Sequence, residues 1–355
     1  MNIADILSKF NITERVLECF PTGNGHINST FLVKTDTKKS YILQKINSNV
    51  FKNVDQLMNN IFLVTDYLRR NGFETLEIIK TKDDKNYFQD ENDYYRLVAY
   101  VDNTICYEGV TNLEQVFNAG KAFGLLHKSL KGFDASKLDE VIPNFHNTKK
   151  RYNDLLDAIK NDCSNRVKDS KEEIDNLMKY EKDYSVVVNA LANKEISLAV
   201  THNDPKINNV LFDKTSGEIR AVIDLDTVMP GSYLYDFGDA LRSLFTGEYE
   251  DSKDLSKIGV DYQIFKMYTL GYLSEMKDVL NDKEISLLAF SSFLLTVESA
   301  IRFLTDYLNG DVYFKTDYSE HNLIRARTQI KLANEIYENL PKLEKIVKEC
   351  LHEKM

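Results

Sequence analysis

The stretch from Ala199 to Asp226 constrains this chain more than any other. It reads Ala-Val-Thr-His202-Asn203-Asp204-Pro205-Lys206-Ile207-Asn208-Asn209, followed by two short apolar runs, Val210–Phe212 and Ile219–Ile223, around a polar turn that holds Gly217. Two apolar runs around such a turn predict a β-hairpin. A hairpin brings its ends together, so Asp224 is expected beside Asn208 and Asn209. Alternation along a strand puts Asp224 and Asp226 on one face. The product is one carboxylate on a loop, an amide five positions later, and two carboxylates arriving from the partner strand.

That combination suits phosphoryl transfer. The reaction needs a carboxylate to orient the attacking hydroxyl and accept its proton. It also needs oxygen ligands for Mg2+, which bridges and neutralises the nucleotide phosphates. His202, Asp204 and Asn209 fit the kinase catalytic-loop pattern H-x-D-x-x-x-x-N, with Asp204 as base and Asn209 on metal, and Asp224 supplies the second metal ligand. The alternative is a buried His-Asn-Asp cluster that only ties a loop together; the agreement of spacing and hairpin favours catalysis.

The stretch resembles the aminoglycoside phosphotransferase and choline kinase superfamily, and within it the N-acetylhexosamine 1-kinases. The closer match lies in His-Asn-Asp-Pro-Lys-x-Asn-Asn-Val-Leu at 202–211, Val-Ile-Asp-Leu-Asp-Thr-Val-Met-Pro-Gly at 222–231 and Tyr-Asp-Phe-Gly-Asp-Ala-Leu-Arg at 235–242. It extends to Asn-Gly-His-Ile-Asn-Ser-Thr-Phe at 24–31, Tyr-Ile-Leu-Gln-Lys-Ile-Asn at 41–47 and Pro-Asn-Phe-His-Asn-Thr at 143–148. The resemblance implies an α+β, protein-kinase-like fold of two lobes. The smaller is an N-terminal antiparallel sheet with a helix; the larger is mainly helical.

A chain of 355 residues accommodates this organisation. Its net charge of -10 argues against nucleic acid or an anionic membrane as partner. No apolar run approaches the length of a membrane span. The start Met-Asn-Ile-Ala-Asp shows no basic segment leading into an apolar one, and the four cysteines lack paired spacing, so the expectation is a cytoplasmic chain with free thiols. Nothing in the sequence sets the oligomeric state.

The N-lobe is expected over 1–102. Gly23 and Gly25 form a Gly-x-Gly between strand-like segments, suited to a lid whose backbone amides approach phosphates; an ordinary hairpin turn fits the same residues. Tyr41–Ile46 is the strand where a kinase carries the lysine that grips the α- and β-phosphates. Lys45 is the only lysine in it, but the basic position also aligns with Gln44, which points to the opposite face. The next helix, about 53–70, holds Asp55 and Asp66 but no Glu to pair with that lysine. The strand 94–101 runs into a hinge, and the resemblance implies that backbone around Val98 and Tyr100 holds adenine.

From 103 to 355 helical periodicity dominates. His127 and His146 read as structural histidines, and Asn147 or Thr148 as a helix cap. Residues 165–195 read as charge-rich helix, and 261–281, 284–308 and 319–348 as three more. Asp236 opens the string Asp-Phe-Gly. It is read as capping the helix that begins at Phe237 and as steadying the catalytic loop. Glu298 and Arg302 are spaced for an intrahelical ion pair. The resemblance instead turns Arg302 and Tyr313 toward a sugar, adds Thr227 as a sugar contact, and puts Asp226 beside the metal or at the sugar.

The expected reaction is MgATP-dependent phosphorylation of the anomeric hydroxyl of an N-acetylhexosamine. The rivals are a kinase of another alcohol, such as choline, an aminoglycoside or homoserine, and a nucleotide-binding pseudokinase. Arg302 disfavours a cationic acceptor, and the set Asp204, Asn209 and Asp224 disfavours a pseudokinase.

Overall fold

A sheet built on alternating side chains organises the first part of the chain. The computed structural model describes residues 2–23 and 27–353. After the short helix α1 (Ile3–Leu7) come β1 (Val16–Pro21), β2 (Ser29–Thr35) and β3 (Ser40–Ile46), then helix α2 (Val54–Arg70), β4 (Ile78–Ile79), β5 (Phe88–Asp90) and β6 (Asp93–Ala99). The strands form one antiparallel sheet in the order β1-β2-β3-β6-β4, with β5 also on β6. Val33, Tyr41, Leu43, Tyr95 and Leu97 pack against Ile6, Leu7 and Phe10. The opposite face of β3 and β6 carries Ile42, Gln44, Arg96 and Val98, because successive side chains alternate.

The expected hairpin is present. β7 (Thr104–Ile105), β8 (Val210–Asp213) and β9 (Ile219–Val222) form a three-stranded antiparallel sheet, with Val210 opposite Val222. Asp213 caps the turn by accepting the N–H groups of Thr215 and Ser216, and Gly217 takes a positive φ of 74°. One compact unit combines residues 1–106, 132–143 and 209–230; the other combines 107–131, 144–208 and 231–355. The hairpin joins the first unit because its side chains are bound there. Arg220 forms a fork with Glu74, with Nε and Nη2 each 2.6 Å from a carboxylate oxygen. Asn60 on α2 donates to the carbonyl of Val228 at 2.9 Å.

The second unit is helical. Its longer helices are α3 (Leu113–Ser129), α4 (Thr148–Asn161), α5 (Lys171–Met178), α6 (Val186–Ala192), α7 (Tyr233–Thr246), α8 (Tyr262–Met276), α9 (Asp282–Leu308), α10 (His321–Glu338) and α11 (Leu340–His352). Helices α3 and α8 approach closely because glycines face backbone. A Cβ on Gly120 would lie 2.2 Å from the carbonyl oxygen of Tyr268, and one on Gly271 would lie 2.0 Å from that of Phe117. Helix α9 opens with a capping box between Asn281 and Glu284. It is long and apolar enough to cross a membrane by composition, but 83% of that window is buried inside the protein, which makes it the core helix. Asn147 caps α4. Two expectations of continuous helix fail: 165–195 divides into α5, α6 and short 3-10 turns, and 319–348 breaks at Asn339 before Pro341.

Candidate active site

In the helical unit the loop that begins at His202 is held by one buried carboxylate. Asp236 accepts the backbone N–H of His202 and of Asn203, each at 2.7 Å, and the Nε2–H of His127 at 2.7 Å. The other ring nitrogen, Nδ1, lies 2.9 Å from the Tyr272 hydroxyl. Burial opposes the charge on Asp236, but the hydrogen bond and charge of His127 and the approach of His202 outweigh it and hold the carboxyl below its usual range. The expected loop-steadying role is therefore present. The capping role is not: α7 begins at Tyr233, and Ser232 caps it through Leu234 N–H.

These bonds shape the loop. Asn203 adopts a positive φ of 65°, which a short polar side chain tolerates. His202 is buried edge-on to Phe123, and its Nδ1 accepts Asp204 N–H at 3.3 Å. Asp204, the expected base, keeps 31% of its side chain exposed, and Lys206 Nζ lies 2.8 Å from its Oδ1. Burial lowers the pKa of Lys206, but the Asp204 carboxylate raises it further, so the ammonium stays charged. Beyond it, Asp239 accepts Arg242 Nε at 2.6 Å. Sequence reasoning missed Lys206, although it stands two residues from the base.

The expected substrate residues of this unit form a second cluster. Arg302 does not pair with Glu298, whose carboxylate takes His146 Nδ1 at 2.8 Å and the Thr148 hydroxyl at 2.6 Å. Its guanidinium lies 5.1 Å from the ring centre of Phe145 and 5.6 Å from that of Phe314, with no carboxylate at ion-pair distance among the described residues. Burial and the charge of Arg302 push the pKa of neighbouring Arg151 down. Tyr313 is 62% exposed, and its N–H is held by Asp306, which also takes those of Val312 and Phe314. Separately, a cavity of about 740 Å³ runs past Lys206 and Asn208 to Ser243, Tyr249, Lys257 and Tyr268. Arg302 and Tyr313 do not line it. The buried Asn208 Oδ1 and Tyr268 hydroxyl have no hydrogen-bond partner among the described residues.

The sheet-bearing unit carries the rest of the expected set. Ile223 N–H donates to Asn209 O at 2.8 Å, so the hairpin returns Asp224 next to Asn209. Asp224 and Asp226 do not share a strand face. β9 ends at Val222; Asp224 takes a left-handed conformation, φ 59° and ψ 54°, and Leu225–Thr227 form a 3-10 turn. The turn exposes Asp224 and buries Asp226 at 4% exposure. Arg96 Nη1 and Asn28 Nδ2, the latter at 2.6 Å, donate to the two oxygens of Asp226. Thr227 is half-buried within the turn. Asn209 and Asp224 offer oxygen donors only, one of them an anion, which is the chemistry of Mg2+ rather than of zinc.

Lys45 is not part of this arrangement. Its ammonium pairs with Asp93 at 2.6 Å, on the face of β3 and β6 opposite Gln44 and Arg96. Alternation alone puts it there. Gly23 has φ 77° with open space where a Cβ would stand, and Gly25 lies outside the described residues. Val98 is buried in β6 opposite Ile42 and Ile78, and Tyr100 N–H donates to Ser40 O at 3.0 Å.

Residues 20–256 match the phosphotransferase enzyme family, APH. Solved structures share the fold. An aminoglycoside phosphotransferase from Alicyclobacillus acidocaldarius aligns with 98% of this chain and 97% of its own, at 13% identity and TM-score 0.65. A microcompartment-associated aminopropanol kinase aligns with 96% and 97%, at 14% and 0.58. A choline kinase from Cryptosporidium parvum aligns with 95% and 93%, at 17% and 0.58. The fold is thus kinase-like, with an N-terminal antiparallel sheet and a larger helical part.

Proposed function

The chain belongs to the phosphotransferase enzyme family, and we propose that it transfers the γ-phosphoryl group of MgATP to the anomeric hydroxyl of an N-acetylhexosamine, giving the sugar 1-phosphate. Asp204 orients O1 and takes its proton. O1 bonds to the γ-phosphorus as the bond from phosphorus to the ADP oxygen breaks. The C1–O1 bond survives, so the anomeric configuration is retained. Lys206, 2.8 Å from Oδ1, keeps the Asp204 carboxylate aligned. Asn209 and Asp224 hold Mg2+, which when bound neutralises charge on the phosphates.

One observation carries the choice of acceptor: the guanidinium of Arg302, near the rings of Phe145 and Phe314, without a carboxylate partner among the described residues and beside Arg151. Two adjacent guanidiniums repel an ammonium. They suit neutral or anionic oxygen, such as a hydroxyl pair or an acetamido carbonyl. The exposed Tyr313 adds an apolar surface with a polar tip. A second reading, phosphorylation of another small alcohol, draws support from the cavity past Lys206, where Glu108 and Asp261 offer carboxylates to a cationic head.

The test is ATP consumption with Mg2+ on N-acetylglucosamine, N-acetylgalactosamine, glucose, galactose, choline and kanamycin, with phosphorus NMR of any product. A 1-phosphate from the acetamido sugars alone is expected. Turnover of choline or kanamycin instead selects the second reading. Nucleotide binding without turnover of any alcohol points to a pseudokinase.

A further inference from the structure

Strand β3 presents no cation toward the turn that carries Asp224. Lys45 faces the other way, and the residue on the correct face is Gln44. The strand beside it supplies one. Arg96 lies directly opposite Gln44 in the β3–β6 register, so both side chains share a face. Its Nε donates to Gln44 Oε1 at 2.8 Å, and its Nη1 donates to Asp226 Oδ1. Both members of the Arg96–Asp226 pair are 5% exposed.

Asp226 sits two residues after Asp224, inside a turn held at every corner. Asn28 binds the other Asp226 oxygen, and its own Oδ1 accepts Asn47 N–H at 2.9 Å. Asn60 holds the carbonyl of Val228, and Asn209 holds the N–H of Ile223. Between these fixed points stands Asp224, exposed and left-handed. A short polar side chain tolerates that conformation, and these contacts on the turn hold it there. The Arg96–Asp226 pair is the charged one among these restraints, and both its side chains are buried.

We propose that Arg96 is a positioning residue for metal-nucleotide binding. Through Asp226 it fixes the strained turn that presents Asp224 to Mg2+, and it supplies from β6 the cation that β3 lacks on this face. The proposal rests on the metal role given to Asp224 but not on the identity of the acceptor.

Calorimetric titration of the full chain with ADP, in Mg2+ and in EDTA, tests it without turnover. In the unaltered chain Mg2+ tightens ADP binding. Arg96→Gln is expected to weaken ADP binding in Mg2+ by tenfold or more and in EDTA by less than threefold, with Arg96→Lys intermediate. Removing Arg96 alone leaves Asp226 buried and unpaired, so the charge-neutral pair Arg96→Gln with Asp226→Asn is measured alongside. The same selective loss in the double variant supports the proposal. A folded single or double variant with unaltered Mg2+ dependence overturns it, as does equal weakening with and without Mg2+. If the unaltered chain binds ADP identically in Mg2+ and EDTA, the metal role of Asp224 falls and this proposal with it, whatever the acceptor screen shows.

Discussion

His127 and Asp236, 109 residues apart in the chain, meet at 2.7 Å with both side chains fully buried. The same carboxylate holds two backbone amides of the His202 loop, so the loop's shape depends on a residue in helix α7. Replacing Asp236 by Ala strands three buried donors and is expected to cost about 3–5 kcal/mol of stability. The carboxyl is held below its usual pKa, so its contribution is complete above the unfolded-state value of about 4 and disappears as pH falls through the folded value. Urea unfolding between pH 3 and 7 should therefore show the gap between wild type and Asp236→Asn closing toward low pH. A gap that widens with acid contradicts the assignment.

Asp204→Asn keeps the shape of the side chain and removes its basicity and its ion pair with Lys206. We expect turnover to fall by roughly 10²–10⁴-fold, the range of general base catalysis, with MgADP affinity changed little. Rapid-quench single-turnover assays separate the two quantities. Near-normal single-turnover rates would falsify the base role.

Asp224 is exposed and left-handed, a conformation glycine adopts without strain. Asp224→Gly should leave the melting temperature unchanged or raise it, by up to about 1 kcal/mol in stability, while abolishing phosphoryl transfer. Calorimetric melting beside the coupled assay checks both halves. A destabilised but active variant is the contrary result.

Lys45 pairs with Asp93 at the surface. Lys45→Met should cost less than about 1 kcal/mol, as exposed ion pairs do, and leave the ATP KM within about twofold. A large rise in that KM returns Lys45 to the phosphates.

Arg302→Leu keeps an aliphatic filler between Phe145 and Phe314 and removes the donors. We expect the sugar KM to rise by roughly tenfold or more, since hydrogen bonds to charged groups contribute about 1.5–3 kcal/mol, with the ATP KM unchanged. Initial-rate kinetics with each substrate varied in turn distinguish the effects.

Local patterns carried much of this. The polar turn between Val210–Phe212 and Ile219–Ile223 announced the hairpin, because register and turn chemistry act between close neighbours. Spacing in the His202 loop marked Asp204 and Asn209 for the same reason. Alternation also contained the answer for Lys45, which had to face away from Gln44. What spacing cannot convey is which distant groups meet. Arg96 reaches Asp226 across 130 residues, and Glu298 takes His146 and Thr148 instead of Arg302, four positions away.

The amino-acid sequence by itself determined the order of elements, the hairpin and the chemistry available in the loop, since these follow from backbone geometry and near neighbours. Tertiary structure alone decided that Asp224 turns outward while Asp226 is buried. The strand does not continue once Arg96 and Asn28 have bound Asp226 and Asn60 has bound Val228, just beyond Asp224, and satisfying those buried charges and amides outweighs the strain of one left-handed residue.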